Sequence, residues 1–114
     1  MPYINTRTNI EISKEKEELL KQEIGKAIEL IPGKSEDWLM VSFEDQASLY
    51  FRGKTDKPIA FVEVKLFGAS TKEAYQKLTA ELTSIIANEL DIAPNQIYVR
   101  YEETKYWGYN GNNF

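Results

Sequence analysis

The residue with the most unusual chemical potential is the second one, in the opening stretch MPYINTRTN. Inside a chain, proline has no N–H and no basic nitrogen. Aminopeptidases remove an initiator methionine when the next residue is small, and proline qualifies; the product carries a secondary amine at its terminus. Many chains begin Met-Pro with no chemical consequence, so Pro2 becomes a candidate base only if the rest of the sequence calls for one. It does so by what it lacks. With no histidine and no cysteine, the chain can form no Ser-His-Asp triad, thiol nucleophile, or zinc site built on imidazole or thiolate. A base working near neutral pH must then be a carboxylate, a lysine, a tyrosine or the terminal amine. Lys34, in PGKS, follows the end of the first predicted helix, a place that favours lysine on dipole grounds alone. The GKS tripeptide is not a P-loop: the motif needs glycine where Ile28 stands, and a helix after the loop rather than before it.

The elements that must position these residues read as one unit written twice. Tyr3–Thr8 alternates as a strand. Ser13 is placed to cap a helix with Glu15, Glu17 and Glu18 at its positive end, and Leu20, Ile24, Ala27, Ile28 and Ile31 form its apolar stripe before Pro32-Gly33 ends the run. A strand follows in WLMVSFE, Trp38 to Glu44. The second half repeats this order: a strand from Pro58 to Phe67, a capping box at Ser70-x-x-Glu73, and a helix stripe of Ala74, Leu78, Leu82, Ile85, Ile86 and Leu90. Pro94 and a strand from Gln96 to Glu102 complete it. Pro2 and Pro58, Ser13 and Ser70, Trp38 and Gln96 recur at nearly equal offsets, which predicts a duplicated βαβ unit. The expected domain is single, residues 1–114, with pseudo-repeats 2–45 and 58–102 and a C-terminal segment 103–114. Right-handed crossovers put both helices on one face of a four-stranded mixed sheet. The predicted class is α+β with short extra strands.

Composition limits the partners. A net charge of −4 over 114 residues argues against nucleic acid, and no stretch approaches the ~18 apolar residues of a membrane span. The N-terminal residues have no apolar signal region, so the expectation is a cytoplasmic protein. Ala60, Val62, Val64 and Leu66 form an aliphatic face suited to the helices. The opposite face carries Ile59, Phe61, Glu63, Lys65 and Phe67, continued by Tyr98, Arg100 and Glu102. That mixture is too apolar to leave in water and too polar for a sealed core, which predicts cover by other subunits around a solvated centre: a homo-oligomer.

With MPYINT at the start, PGK after the first helix, LFGAS after the third strand, IYV behind Pro94, and WGYN…F at the end, the chain resembles the macrophage migration inhibitory factor family of the tautomerase superfamily. The resemblance implies a homotrimer with active sites between subunits, and keto–enol tautomerisation of α-keto acids such as phenylpyruvate with the N-terminal proline as general base. It also implies that no cofactor or metal is used. Carried over by motif, Pro2 is the base and Lys34 binds the substrate carboxylate together with the backbone amide of Phe67. Tyr98 lines the neighbouring subunit's pocket, and Trp38, Trp107, Tyr109 and Phe114 fall at pocket walls. Three departures are visible. Arg100 replaces a family asparagine, the loop from Tyr101 to Trp107 is short, and Ile59-Ala60-Phe61-Val62 stands where the vertebrate protein has Cys-x-x-Cys, so no thiol redox activity transfers. The resemblance adds non-classical secretion and receptor binding to the readings.

The chemistry is coherent on its own terms. A model α-amino group titrates near ~7.7–8; burial among Trp38, Phe67 and Phe114, and the charge of Lys34, would both favour the neutral base. Lys34 would then stabilise charge building on an enolate. Rival readings stay open: helix capping for Lys34, interface packing for the aromatics, and pairing of Arg100 with Glu63 or Glu102 rather than with a second acidic group of a substrate. Other superfamily chemistry on the same proline (hydration, dehalogenation, decarboxylation) and a cytokine-like binding role with vestigial tautomerase activity also fit.

Overall fold

A computed structural model describes residues 1–114. Four strands, β1 (Pro2–Thr8), β2 (Met40–Glu44), β3 (Ala60–Phe67) and β4 (Ile97–Thr104), form one sheet in the order β2-β1-β3-β4. β1 runs parallel to β2 and β3 parallel to β4, while β1 and β3 meet antiparallel in the middle. Each parallel pair is bridged by a helix, α1 (Lys14–Ala27) and α2 (Lys72–Leu90), and a small hairpin of β5 (Gly108–Tyr109) and β6 (Asn112–Asn113) closes the chain. This is the α+β architecture expected from the sequence.

Alternation sorts the sheet into two faces. Ile4, Thr6 and Thr8 of β1 and Ala60, Val62, Val64 and Leu66 of β3 are buried toward the helices. Ile4, Ala60, Val62, Val64 and Leu66 pack with Leu20, Ile24 and Ile28 of the first helical segment and Leu78, Leu82 and Ile86 of α2 in one continuous core. Burying each such leucine or isoleucine contributes about 1.5–3 kcal/mol. No helix is long and apolar enough to cross a membrane.

The opposite face carries a polar network. Tyr3 and Ser42 share a 2.6 Å hydrogen bond, Ser42 donates to Asn5 Oδ1, and Asn5 Nδ2 donates to Glu44 at 2.8 Å, which also receives Arg7. Asn5 is buried although it lies on this face, because its partners enclose it.

Local boundaries differ from the sequence reading at one cap and at several strand starts, β3 opening at Ala60 rather than Pro58 and β4 at Ile97 rather than Gln96. Ser13 caps α1 as expected, accepting from the Lys16 amide. The cap of α2 is Thr71, not Ser70: Thr71 Oγ1 accepts from the Ala74 amide at 3.0 Å, while the Ser70 amide is engaged by the Tyr75 hydroxyl. Trp38 lies in a 3₁₀ turn, Glu36–Trp38, closed by the Leu39 amide on the Glu36 carbonyl, and β2 begins only at Met40. Two acidic residues directly after the extended Ser35 favour that first helical turn.

Candidate active site

The helix-to-strand connection places Lys34. α1 runs into a 3₁₀ turn, Ile28–Leu30, and Gly33 then takes φ +83°, a left-handed conformation that side chains resist. The turn carries the lysine back toward the sheet, where Lys34 Nζ donates to the Phe67 carbonyl at 3.1 Å. The central β1–β3 pairing brings the start of the chain to the same point. Pro2 stands opposite Leu66, and the Phe67 amide donates to the Met1 carbonyl at 3.1 Å. Burial first, then the Lys34 ammonium beside it, lowers the pKa of the terminal amine of Met1 from its ordinary value.

Next to these groups lies a cavity of about 470 Å³ lined by Met1, Pro2, Tyr3, Trp38, Trp107 and Tyr109, with Lys65 and Asp37 contributing charge. Its wall is an aromatic chain. Trp38 meets Tyr109 edge-on at 5.2 Å, Tyr109 stacks with Phe114 at 6.4 Å, and Phe114 lies 5.6 Å from Phe67. The Phe114 amide donates to the Trp107 carbonyl and ties the hairpin shut. Pro2 is buried, whereas Trp38, Tyr109 and Phe114 each leave about half their surface exposed, at 50%, 53% and 57%. These rings form an open wall rather than a closed core.

The structure therefore brings together Pro2, Lys34, Trp38, Phe67, Trp107, Tyr109 and Phe114 within one chain. It does not bring Tyr98 or Arg100 to that group. Tyr98 packs edge-on against Phe51 and Phe61 at 5.2 and 6.2 Å, on a separate apolar cavity of about 140 Å³. Arg100 donates to Glu102 at 3.1 Å, the intrachain pairing that competed with a substrate role. Lys65, Asp37 and Tyr3 were not candidates from the sequence. Alternation put Lys65 on the face of Phe67, but only the pairing of Tyr3 with Lys65 across β1 and β3 reveals that this lysine reaches the Pro2 cavity.

The solved structures that resemble this chain agree with that arrangement of strands and helices. Leishmania major MIF2 superposes with a TM-score of 0.92 at 32% identity, covering 100% of this chain and 97% of the other. A macrophage migration inhibitory factor homologue from Prochlorococcus marinus gives 0.87 at 30% identity, covering 98% of each chain. A protein named Pt0534, solved after inactivation by 2-oxo-3-pentynoate, shares the fold at 17% identity with a TM-score of 0.87, covering 97% of this chain and 95% of its own. No curated protein sequence matches. The family model for macrophage migration inhibitory factor (MIF) spans residues 1–114, and the chain belongs to that family.

Proposed function

We propose that the protein is a keto–enol tautomerase of α-keto acids, with phenylpyruvate as the model substrate and the amine of Pro2, freed by loss of Met1, as general base. The observation that carries this reading is the junction of Met1, Lys34 and Phe67. There the terminal amine is already held toward its neutral form by burial and by Lys34. Removing Met1 transfers the terminal amine to Pro2, which is buried against the aromatic cavity. It also releases the Phe67 amide from the Met1 carbonyl, so one cleavage supplies both a base and a hydrogen-bond donor. A neighbour of the same fold inactivated by a 2-oxo acid supports the substrate class.

In the forward direction Pro2 takes a proton from the carbon beside the substrate's carbonyl. Charge moves onto the carbonyl oxygen, and protonation of that oxygen completes the enol; no bond to a heavy atom breaks. Lys34 and the freed Phe67 amide hold the substrate carboxylate and offset the growing charge. A positioned base of suitable pKa contributes about 10²–10⁴-fold. The working unit is a homotrimer in which a neighbour's Tyr98 completes the pocket; the mixed face bearing Glu63, Lys65 and Arg100 supports association because it is neither fully apolar nor fully polar.

The test is a comparison of preparations sorted by intact mass. With Met1 attached, the Pro2 nitrogen is a tertiary amide without basicity, so ketonisation of phenylenolpyruvate should track the fraction of chains lacking Met1. Full activity in chains that retain Met1 would rule Pro2 out.

A further inference from the structure

In a chain that has lost Met1, the Phe67 amide loses the carbonyl to which it donates at 3.1 Å, and what then aims it is the turn that follows. β3 ends at Phe67, opposite Thr104 of β4, and Gly68 leaves the strand in a left-handed conformation at φ +83°. The peptide joining them is held on both sides: its carbonyl accepts from Lys34 Nζ at 3.1 Å, and its amide donates to the Thr104 carbonyl at 2.8 Å. Two residues on, the Ser70 amide donates to the Tyr75 hydroxyl at 3.1 Å and to the Glu103 carboxylate at 3.4 Å, and the Tyr75 hydroxyl donates to that same carboxylate. These three groups close a ring over the turn. Tyr75 is itself fixed from behind. Its ring lies 4.6 Å from that of Tyr101, whose hydroxyl donates to the Tyr75 carbonyl at 3.1 Å and shares a 2.7 Å bond with Thr79. Burial first, then Glu103, pushes the Tyr75 hydroxyl up to about 12, so it remains a donor near neutral pH. Glu103 follows Val99 and Tyr101 along the helix-facing side of β4, where those two pack against the core. The ring therefore stands apart from the sheet face that neighbouring subunits cover, and neither Tyr75 nor Glu103 lines the Pro2 cavity.

We propose that Tyr75 and Glu103 are positioning residues for the substrate carboxylate: they hold the turn over residues 67–70 so that, with Met1 gone, the Phe67 amide keeps the direction it has toward the Met1 carbonyl. This rests on the tautomerase reading. A backbone N–H turns only with its peptide, and Gly68 puts the most permissive residue of the turn directly beside it. The carbonyl of Phe67 also holds Lys34, so a loosened turn disturbs both groups that meet the carboxylate. Tyr75 and Glu103 touch no substrate. They act through Phe67, and their effect falls on binding of the acid group rather than on proton transfer at Pro2.

The experiment compares wild type, Tyr75→Phe, Glu103→Ala and Glu103→Gln, each as the full chain lacking Met1, on phenylenolpyruvate and its methyl ester. A charge-assisted hydrogen bond carries about tenfold or more in affinity, and a loosened donor forfeits part of it. Tyr75→Phe should raise KM for the acid about three- to tenfold, while kcat and the ester change less than about twofold. Glu103→Ala should do the same, and adding it to Tyr75→Phe should cost little more, because the two side chains belong to one ring. Glu103→Gln keeps an acceptor for Tyr75 and should stay within about twofold of wild type. Hydrogen exchange at the Gly68 and Ser70 amides should quicken in Tyr75→Phe and Glu103→Ala with no change in oligomer mass. Equal losses on acid and ester, or losses accompanied by a fall in oligomer mass, would show that the pair serves packing alone and would overturn the inference. An unchanged KM for the acid in Tyr75→Phe would overturn it too, while leaving the Pro2 reading intact. Wild type that turns over neither probe would refute the tautomerase reading, and this inference with it.

Discussion

Thr6 is fully buried on the helix-facing side of β1, paired in register with Val62 of β3 and Phe43 of β2, and its hydroxyl has no hydrogen-bond partner. Two positions on, Thr8 shows the contrasting case, its hydroxyl donating to the Ile59 carbonyl at 2.6 Å. A hydroxyl buried without a partner costs about 1–3 kcal/mol on mutational scales, and exchanging it for a methyl adds up to about 0.8 kcal/mol of apolar burial. Valine has nearly the same shape and suits a strand. Thr6→Val should therefore stabilise the fold by about 1–2 kcal/mol, allowing for incomplete relaxation of the site. With about 2.1 cal/mol/K of unfolding entropy per residue, the whole chain has roughly 240 cal/mol/K, and the melting temperature should rise by about 4–8 °C. The assay is thermal unfolding followed by circular dichroism at one fixed concentration, because association makes Tm depend on concentration. Thr8→Val is the control and should lower Tm, since it strands a buried carbonyl. An unchanged or lower Tm for Thr6→Val would refute the reasoning by showing that the hydroxyl is satisfied.

Lys34→Ala should raise KM for phenylpyruvate about tenfold or more, with a much smaller effect on its ester, because the lost interaction is with a carboxylate; steady-state kinetics on both substrates checks this. Glu23 is pushed above its usual range by hydrogen bonding with Glu89 and then by burial, while Glu89 is held down by Glu23 and Lys16. A raised carboxyl pKa means that the folded state is penalised once pH rises through it, so Glu23→Gln should increase Tm at pH 7 and the gain should shrink as pH falls toward 4.

Much of the scaffold was legible because burial imposes its period on the sequence. The stripe of Leu20, Ile24 and Ile28 and the alternation of Val62, Val64 and Leu66 name their faces without reference to any partner, and both strand pairs followed from them. One local boundary failed at the cap: Thr71 Oγ1, not the Ser70 side chain, accepts from the Ala74 amide, while the Ser70 amide donates to the Tyr75 hydroxyl and Glu103. The site was legible where a motif held it together, as with PGK and the C-terminal aromatics. Lys65 was not, because its place depends on which residue of β1 faces it, and register between distant strands leaves no mark in local periodicity. Tyr98 and Arg100 were read toward the site from the resemblance, and one chain alone keeps them on the far strand of the sheet.

The two ends of the chain lie together: Phe114 packs on Phe67, whose amide holds the Met1 carbonyl. Pro2 opens β1, and Pro58 sits just ahead of β3, the strand that takes the corresponding place in the second βαβ half. The fold is therefore suited to circular permutation, with a short linker joining the present ends and a new start at Pro58. The sheet order and the core would survive while the two halves exchanged places in the chain. Pro2 would become an amide permanently, and Pro58 would acquire the ionisable nitrogen beside Ile59. The two prolines hold corresponding places in the two βαβ halves, at opposite ends of the antiparallel β1–β3 pair, and the path of the chain decides which of them can take a proton.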